Sequence, residues 1–164
     1  MPMEQKEKVL AQLDEMQIPY DIINHIAVFN IQEIERLQFA NMDKVVKNLF
    51  IRDDKKRQYY LVVIQKDKSV NLKELRNKIG SRSLTFASEE DLHKYLMLGR
   101  GEVSPLGALN NTDNAVTVII DSDLKDYEVI GVHPNDNTAT VFISIDNLIK
   151  ILDAKGQKIM FVGL

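Results

Sequence analysis

Apolar residues recur three and four apart over residues 3–17 (Val9, Leu10, Leu13, Met16), and Pro19 follows, which predicts an opening helix. Tyr20 to Ile23 reads as a short strand. Asn30-Ile31-Gln32-Glu33 has the form of a capping box and predicts a helix over about 31–38. From Val45 the period changes. Val45–Ile51 and Gln58–Ile64 are rich in β-branched and aromatic residues and flank the polar Asp53-Asp54-Lys55-Lys56, so they predict a β-hairpin. Helical spacing returns in Asn71–Lys78 and in Ser88–Met97, where Ser88 is the N-cap and Glu89, Glu90 and Asp91 fill the first turn. Beyond Gly99 the pattern reads as a loop. Strands at Ala115–Ile120, Tyr127–Val132 and Ala139–Ser144 follow, then a helix over Ser144–Leu152 and a last strand at Lys158–Val162.

Strands outnumber helices here and do not alternate with them regularly. That pattern favours a mixed α/β (α+β) domain around a curved sheet over a doubly wound one. No repeat or linker divides the chain, so residues 1–164 are expected to form a single domain. With 45% hydrophobic residues the chain can build a core without staples. Cysteine is absent, which excludes disulfides, zinc–thiolate sites and a cysteine nucleophile. No spacing of His and carboxylates resembles a metal site, so neither metal nor cofactor is expected. No apolar stretch approaches the roughly 20 residues that span a bilayer, and the first residues are charged, so a cytoplasmic protein is the expectation.

The net charge of −3 argues against a polyanionic partner, yet its distribution argues for one. Between Lys44 and Arg82 twelve basic residues face four acids, which leaves +8 on this segment and −11 on the rest. Such asymmetry suits docking to a nucleic acid. It equally suits ordinary solvated faces of a hairpin and a helix.

Three clusters carry candidate chemistry. In Lys47-Asn48-Leu49-Phe50, strand alternation puts Lys47 on one face with Val45, Leu49 and Ile51. A lysine there is either held in a pocket or guards a sheet edge. In Gly99–Gly107, three glycines and Pro105 fix a loop around Ser104 whose backbone N–H groups could meet an anion or a carbonyl oxygen; a plain connection is the alternative. In Gly131–Thr138, His133 leaves a strand and enters a turn, where it either lines a cleft or serves the turn alone. His25 and His93 are isolated in the sequence.

Taken together and in this order, the clusters resemble the prolyl-tRNA editing (YbaK/prolyl-tRNA deacylase) family. Lys47-Asn48-Leu49-Phe50 with the following Tyr59–Val63 looks like its catalytic-lysine hairpin. Gly101-Glu-Val-Ser104-Pro105-Leu-Gly107 is similar to its Gly-x-x-Ser/Thr-Pro-x-Gly loop. Val132-His133-Pro134 followed by Asn137-Thr138-Ala139-Thr140 resembles its C-terminal signature. His25 echoes an N-terminal His-Pro stretch, but Ile26 stands where proline is favoured, and no role is given to His25.

The resemblance implies a mixed, barrel-like β-sheet flanked by helices and a freestanding enzyme that hydrolyses mischarged tRNA(Pro). It implies Lys47 as the catalytic charge, with Asn48, Gly101, Ser104, Pro105, Gly107 and His133 binding substrate; for a pocket that excludes the cognate amino acid, Leu49, Phe50, Leu106 and the backbone around Ser104-Pro105 are the candidate walls. The implied partners are the acceptor end of tRNA(Pro) and prolyl-tRNA synthetase. The Lys-Asn-Leu-Phe form resembles the alanine-removing branch. Removal of cysteine is the alternative substrate; a non-catalytic tRNA-binding module and a small-molecule-binding domain are the alternative classes.

Overall fold

The computed structural model describes residues 4–111, 113 and 115–164; Met3, where the predicted first helix begins, lies outside them. Among the described residues, five α-helices span Gln5–Glu15 (α1), Ile31–Glu35 (α2), Leu72–Ile79 (α3), Glu89–Leu96 (α4) and Ile145–Ala154 (α5). Eight strands span Asp21–Asn24 (β1), Val46–Asp53 (β2), Tyr59–Gln65 (β3), Leu84–Phe86 (β4), Val116–Asp121 (β5), Ile130–Val132 (β6), Ala139–Ile143 (β7) and Lys158–Val162 (β8).

Helix starts follow the capping residues in the sequence. Asn30, Asn71, Ser88 and Ser144 each accept a main-chain N–H from the first turn of the helix they precede, which satisfies donors that have no partner inside the helix. Gly80 ends α3 in the left-handed region (φ +67), where glycine pays no Cβ penalty.

The strands form two sheets, β4-β2-β3-β5-β8 and β1-β7-β6. β2 runs antiparallel to β3 and β4, while β3-β5-β8 are parallel. Centrally placed, β3 is buried along nearly its whole length, and its unbroken apolar run Tyr59–Ile64 fits a strand covered on both faces. On one face Val46, Val63, Val118 and Ile120 pack with α1, α5 and the smaller sheet. On the other, Ile51, Val62, Ile64 and Ile119 lie against Leu75 of α3.

The mixed α+β architecture is the expected one. Among the described residues one isolated parallel bridge, Val45 to Gly131, joins the sheets, and neither closes into a barrel. β4 was not foreseen, being three residues long. The strand expected at Tyr127–Val132 keeps only its last three residues, because a 3-10 turn over Ser122–Asp126 precedes it. Another 3-10 turn, Pro105–Asn110, occupies what the sequence pattern reads as loop.

Ion pairs neutralise part of the basic segment. Lys68 pairs with Asp121 and Asp123, Lys66 with Glu35 and Asp67, and Arg52 lies 3.9 Å from Asp91. Arg82 pairs with Asp54 inside the segment. Among the described residues, Lys47, Lys55, Lys56 and Arg57 make no ion pair.

Candidate functional site

β2 has different neighbours along its length. Among the described residues, β4 pairs with it at Ile51–Asp53, and the smaller sheet is bridged to the chain at Val45, just before β2 begins. The main-chain bonds Asp53 N to Gln58 O and Lys66 N to Val45 O mark which residues face β3. By alternation, the main-chain N–H and C=O of Asn48 point the other way, into a stretch with no strand partner. A cavity of about 200 Å³ opens there. The loop that carries Gly101 and Val103 forms its opposite wall.

Five residues with polar side chains line the cavity: Asn30, Lys47, Asn48, His133 and Thr140. The apolar wall comes from Ile31 and Ile34 of α2, with Val46, Val103 and Val132. Phe29, 54% exposed, stands at the rim.

Asn48 donates its side-chain amide to Val103 O at 3.2 Å and so joins the lysine strand to the glycine loop. Its Oδ1 is buried and has no hydrogen-bond partner among the described residues. Gly101 adopts φ +86, and a Cβ there would come within 3.0 Å of the Phe29 Cα, so only glycine lets the loop pass this close.

The rest of that loop builds the wall without lining it. Ser104 is fully buried, and its Oγ accepts Leu106 N–H at 3.1 Å. Gly107 N–H bonds Ser104 O at 2.9 Å, and a Cβ on Gly107 would strike Leu98 at 2.7 Å. Pro105 starts the buried 3-10 turn. Ser104, Pro105 and Gly107, which the resemblance implies as substrate-binding, shape the turn and do not line the cavity. The N–H groups of Glu102, Leu106 and Gly107 are taken internally; those of Gly101 and Val103 make no hydrogen bond among the described residues. Leu49, Phe50 and Leu106, expected as walls, pack elsewhere in the core. Ile31 and Ile34 replace them, and only their helical i, i+3 spacing could have signalled a shared face.

His133 comes from the turn after β6. Its Nδ1 lies 3.0 Å from Ala139 O, an acceptor only, so Nδ1 carries the proton and Nε2 is the lone-pair nitrogen. Burial pushes the His133 pKa below the ordinary histidine value. Asn135, left-handed at φ +57 and buried, donates to Leu106 O at 3.1 Å and fastens this turn to the glycine loop. His25 is not isolated after all. Its ring centroid lies 6.3 Å from that of His133, and its Nε2 lies 3.0 Å from Thr140 Oγ1.

Strand lysine, glycine loop and histidine turn thus meet at one cavity, in the order in which the sequence motifs occur. Residues 25–151 match the aminoacyl-tRNA editing domain family, and the chain belongs to that family. Over 164 residues, all of both chains, it is 48% identical to a prolyl-tRNA editing protein, ProX, from Acetoanaerobium sticklandii. It is 32% identical to a mouse (Mus musculus) prolyl-tRNA synthetase associated domain-containing protein 1, over 89% of this chain and 88% of that one. A solved structure described as a proposed trans-editing enzyme for prolyl tRNA synthetase superposes with a TM-score of 0.73 at 16% identity, over 100% of this chain and 99% of that one, which shows the shared fold. The chain is a prolyl-tRNA editing protein in class, an aminoacyl-tRNA deacylase.

Proposed function

We propose that the chain deacylates alanyl-tRNA(Pro) in trans and spares prolyl-tRNA(Pro). The observation that carries this reading is the small cavity beside Lys47, walled by Ile31, Ile34, Val46, Val103 and Val132. Those branched side chains narrow the space beside Lys47, and on this reading they admit the alanine methyl and exclude the proline ring by clash. Lost contacts alone discriminate poorly against smaller residues, since one methylene is worth only about 1–3 kcal/mol. A post-transfer editor therefore benefits from a pocket too small for the cognate amino acid.

An aminoacyl ester is already activated, so positioning and charge stabilisation are enough for hydrolysis. Lys47 supplies a positive charge to the acyl oxygen or the terminal phosphate. The N–H groups of Gly101 and Val103 are candidates for the developing oxyanion, and Asn48 holds their loop against the lysine strand. Neutral His133 offers an acceptor to the attacking water or to a ribose hydroxyl. The acceptor end of the tRNA lies over the Phe29 rim, and prolyl-tRNA synthetase, named in the descriptions of the relatives, is the source of the mischarged substrate.

The test is release of labelled amino acid from tRNA(Pro) charged with alanine, cysteine or proline. Alanine is expected to leave fastest and proline to stay. Faster release of cysteine would keep the editing chemistry and change the substrate; equal release of proline would refute the size-exclusion reading.

A further inference from the structure

The hydrogen-bond direction at Thr140 has a chemical consequence. His25 Nδ1 lies 2.8 Å from Ile26 O, which can only accept, so in the neutral ring Nδ1 carries the hydrogen and Nε2 the lone pair. The 3.0 Å contact between Nε2 and Thr140 Oγ1 then requires that the threonine hydroxyl donate to the ring. His25 is held from several sides: its ring stacks on Phe39 with centroids 6.0 Å apart and planes 13° apart, and its main-chain N–H bonds Thr138 O at 2.9 Å. Thr140 belongs to β7, is 1% exposed, and lines the cavity. Its oxygen therefore has its hydrogen spent on His25 and keeps only lone pairs for whatever enters.

The acyl part of an aminoacyl ester carries one hydrogen-bond donor, the α-amine; its carbonyl and ester oxygens only accept. We propose that Thr140 receives the α-amine of the aminoacyl group, and that His25 is a positioning residue that keeps the Thr140 oxygen an acceptor. The inference rests on the editing reading above and deepens it, because it gives the pocket a means to recognise an amino acid rather than any small acyl group.

Two esters of tRNA(Pro) test it: alanyl, and propionyl, which has the same carbon skeleton and ribose but no amine. Thr140→Val, which keeps the shape and removes the oxygen, is expected to lower kcat/KM for alanyl-tRNA by about tenfold, the size of one hydrogen bond to a charged group. It is expected to leave propionyl-tRNA unchanged. Thr140→Ser should retain the preference for alanyl. His25→Phe, which preserves the stack on Phe39, should lose the preference in the same direction, and adding it to Thr140→Val should cost nothing further. Equal losses on both esters in Thr140→Val, or no loss on alanyl, would overturn the assignment while leaving the editing activity standing. Wild-type protein that releases no alanine would overturn both. Should His25→Phe fail to fold, the Val and Ser variants of Thr140 decide the matter alone.

Discussion

The Asn48 side chain donates to the Val103 carbonyl across 55 residues of sequence, and this bond sets the width of the site. Its acceptor oxygen is buried and has no partner among the described residues. Asn48→Ala is expected to destabilise the fold by about 0.5–1.5 kcal/mol, the net worth of one such bond. The glycine loop should drift from Lys47, and kcat should fall more than stability explains. Thermal melts alongside single-turnover deacylation separate the two effects.

Lys47→Ala should keep the fold and lose about 10²–10³ in rate, the usual cost of removing a preorganised charge from a reacting centre. Lys47→Arg should rescue poorly, because the planar guanidinium needs different space. A folded Lys47→Ala protein with near-normal turnover would remove the lysine from the mechanism.

The acid limb of the pH profile should lie below the ordinary histidine value of about 6.5, because burial lowers the His133 pKa. The sign for stability is the same. Below the ordinary value the unfolded chain binds a proton that the folded chain refuses, so stability falls with pH through that window and is fully present above it. His133→Phe should flatten the stability dependence and remove the limb. Denaturant midpoints and kcat/KM across pH 5–8 check both.

Ile34→Ala should enlarge the cavity where α2 closes it, since Ile34 is 2% exposed and belongs to the wall. Release of proline from prolyl-tRNA(Pro) should rise while alanine release changes little. The core cost should be about 2–5 kcal/mol, so melts must accompany the assay. If selectivity is unchanged in the folded variant, α2 does not set the size limit.

Combined reversal of Lys55, Lys56 and Arg57 should raise KM more than it lowers kcat. These exposed cations sit at the hairpin turn, about 20 Å along β2 from Lys47 at roughly 3.3 Å per residue. That is far from the ester and within reach of the tRNA body. Wild-type behaviour at low salt would place the tRNA elsewhere.

The elements of this fold were legible where a local signal announced them. Asn30, Asn71, Ser88 and Ser144 mark helix starts through bonds made within a few residues, and the β-branched and aromatic runs flanking Asp53–Lys56 announce the β2-β3 hairpin. Motif order singled out Lys47, Asn48, Gly101 and His133, and the fold brings all four to one cavity. What failed was anything decided by long-range packing. Ser104 and Gly107 share the glycine motif but turn inward, because the loop must seat against Leu98 and Leu106 must enter the core. Thr140 stood inside a quoted motif without a role, since its partner His25 is 115 residues away. Charge clustering in sequence could not say which cations stay unpaired: Lys66, Lys68 and Arg52 find acids that only folding brings near.

An unpaired strand edge is ordinarily a hazard, because its free N–H and C=O groups template pairing with another chain. Along β2 the unpaired stretch at Asn48 lies at the bottom of a concavity, walled by the Gly101–Val103 loop and α2, with Lys47 projecting beside it. A neighbouring strand, which needs about 4.8 Å of lateral approach along several residues, cannot reach it. The polypeptide thus keeps a length of bare backbone available for chemistry without offering it to aggregation. Destabilising α2, as Ile34→Ala would, is therefore expected to raise the tendency to self-associate as well as to relax selectivity, and light scattering of the variant would show it.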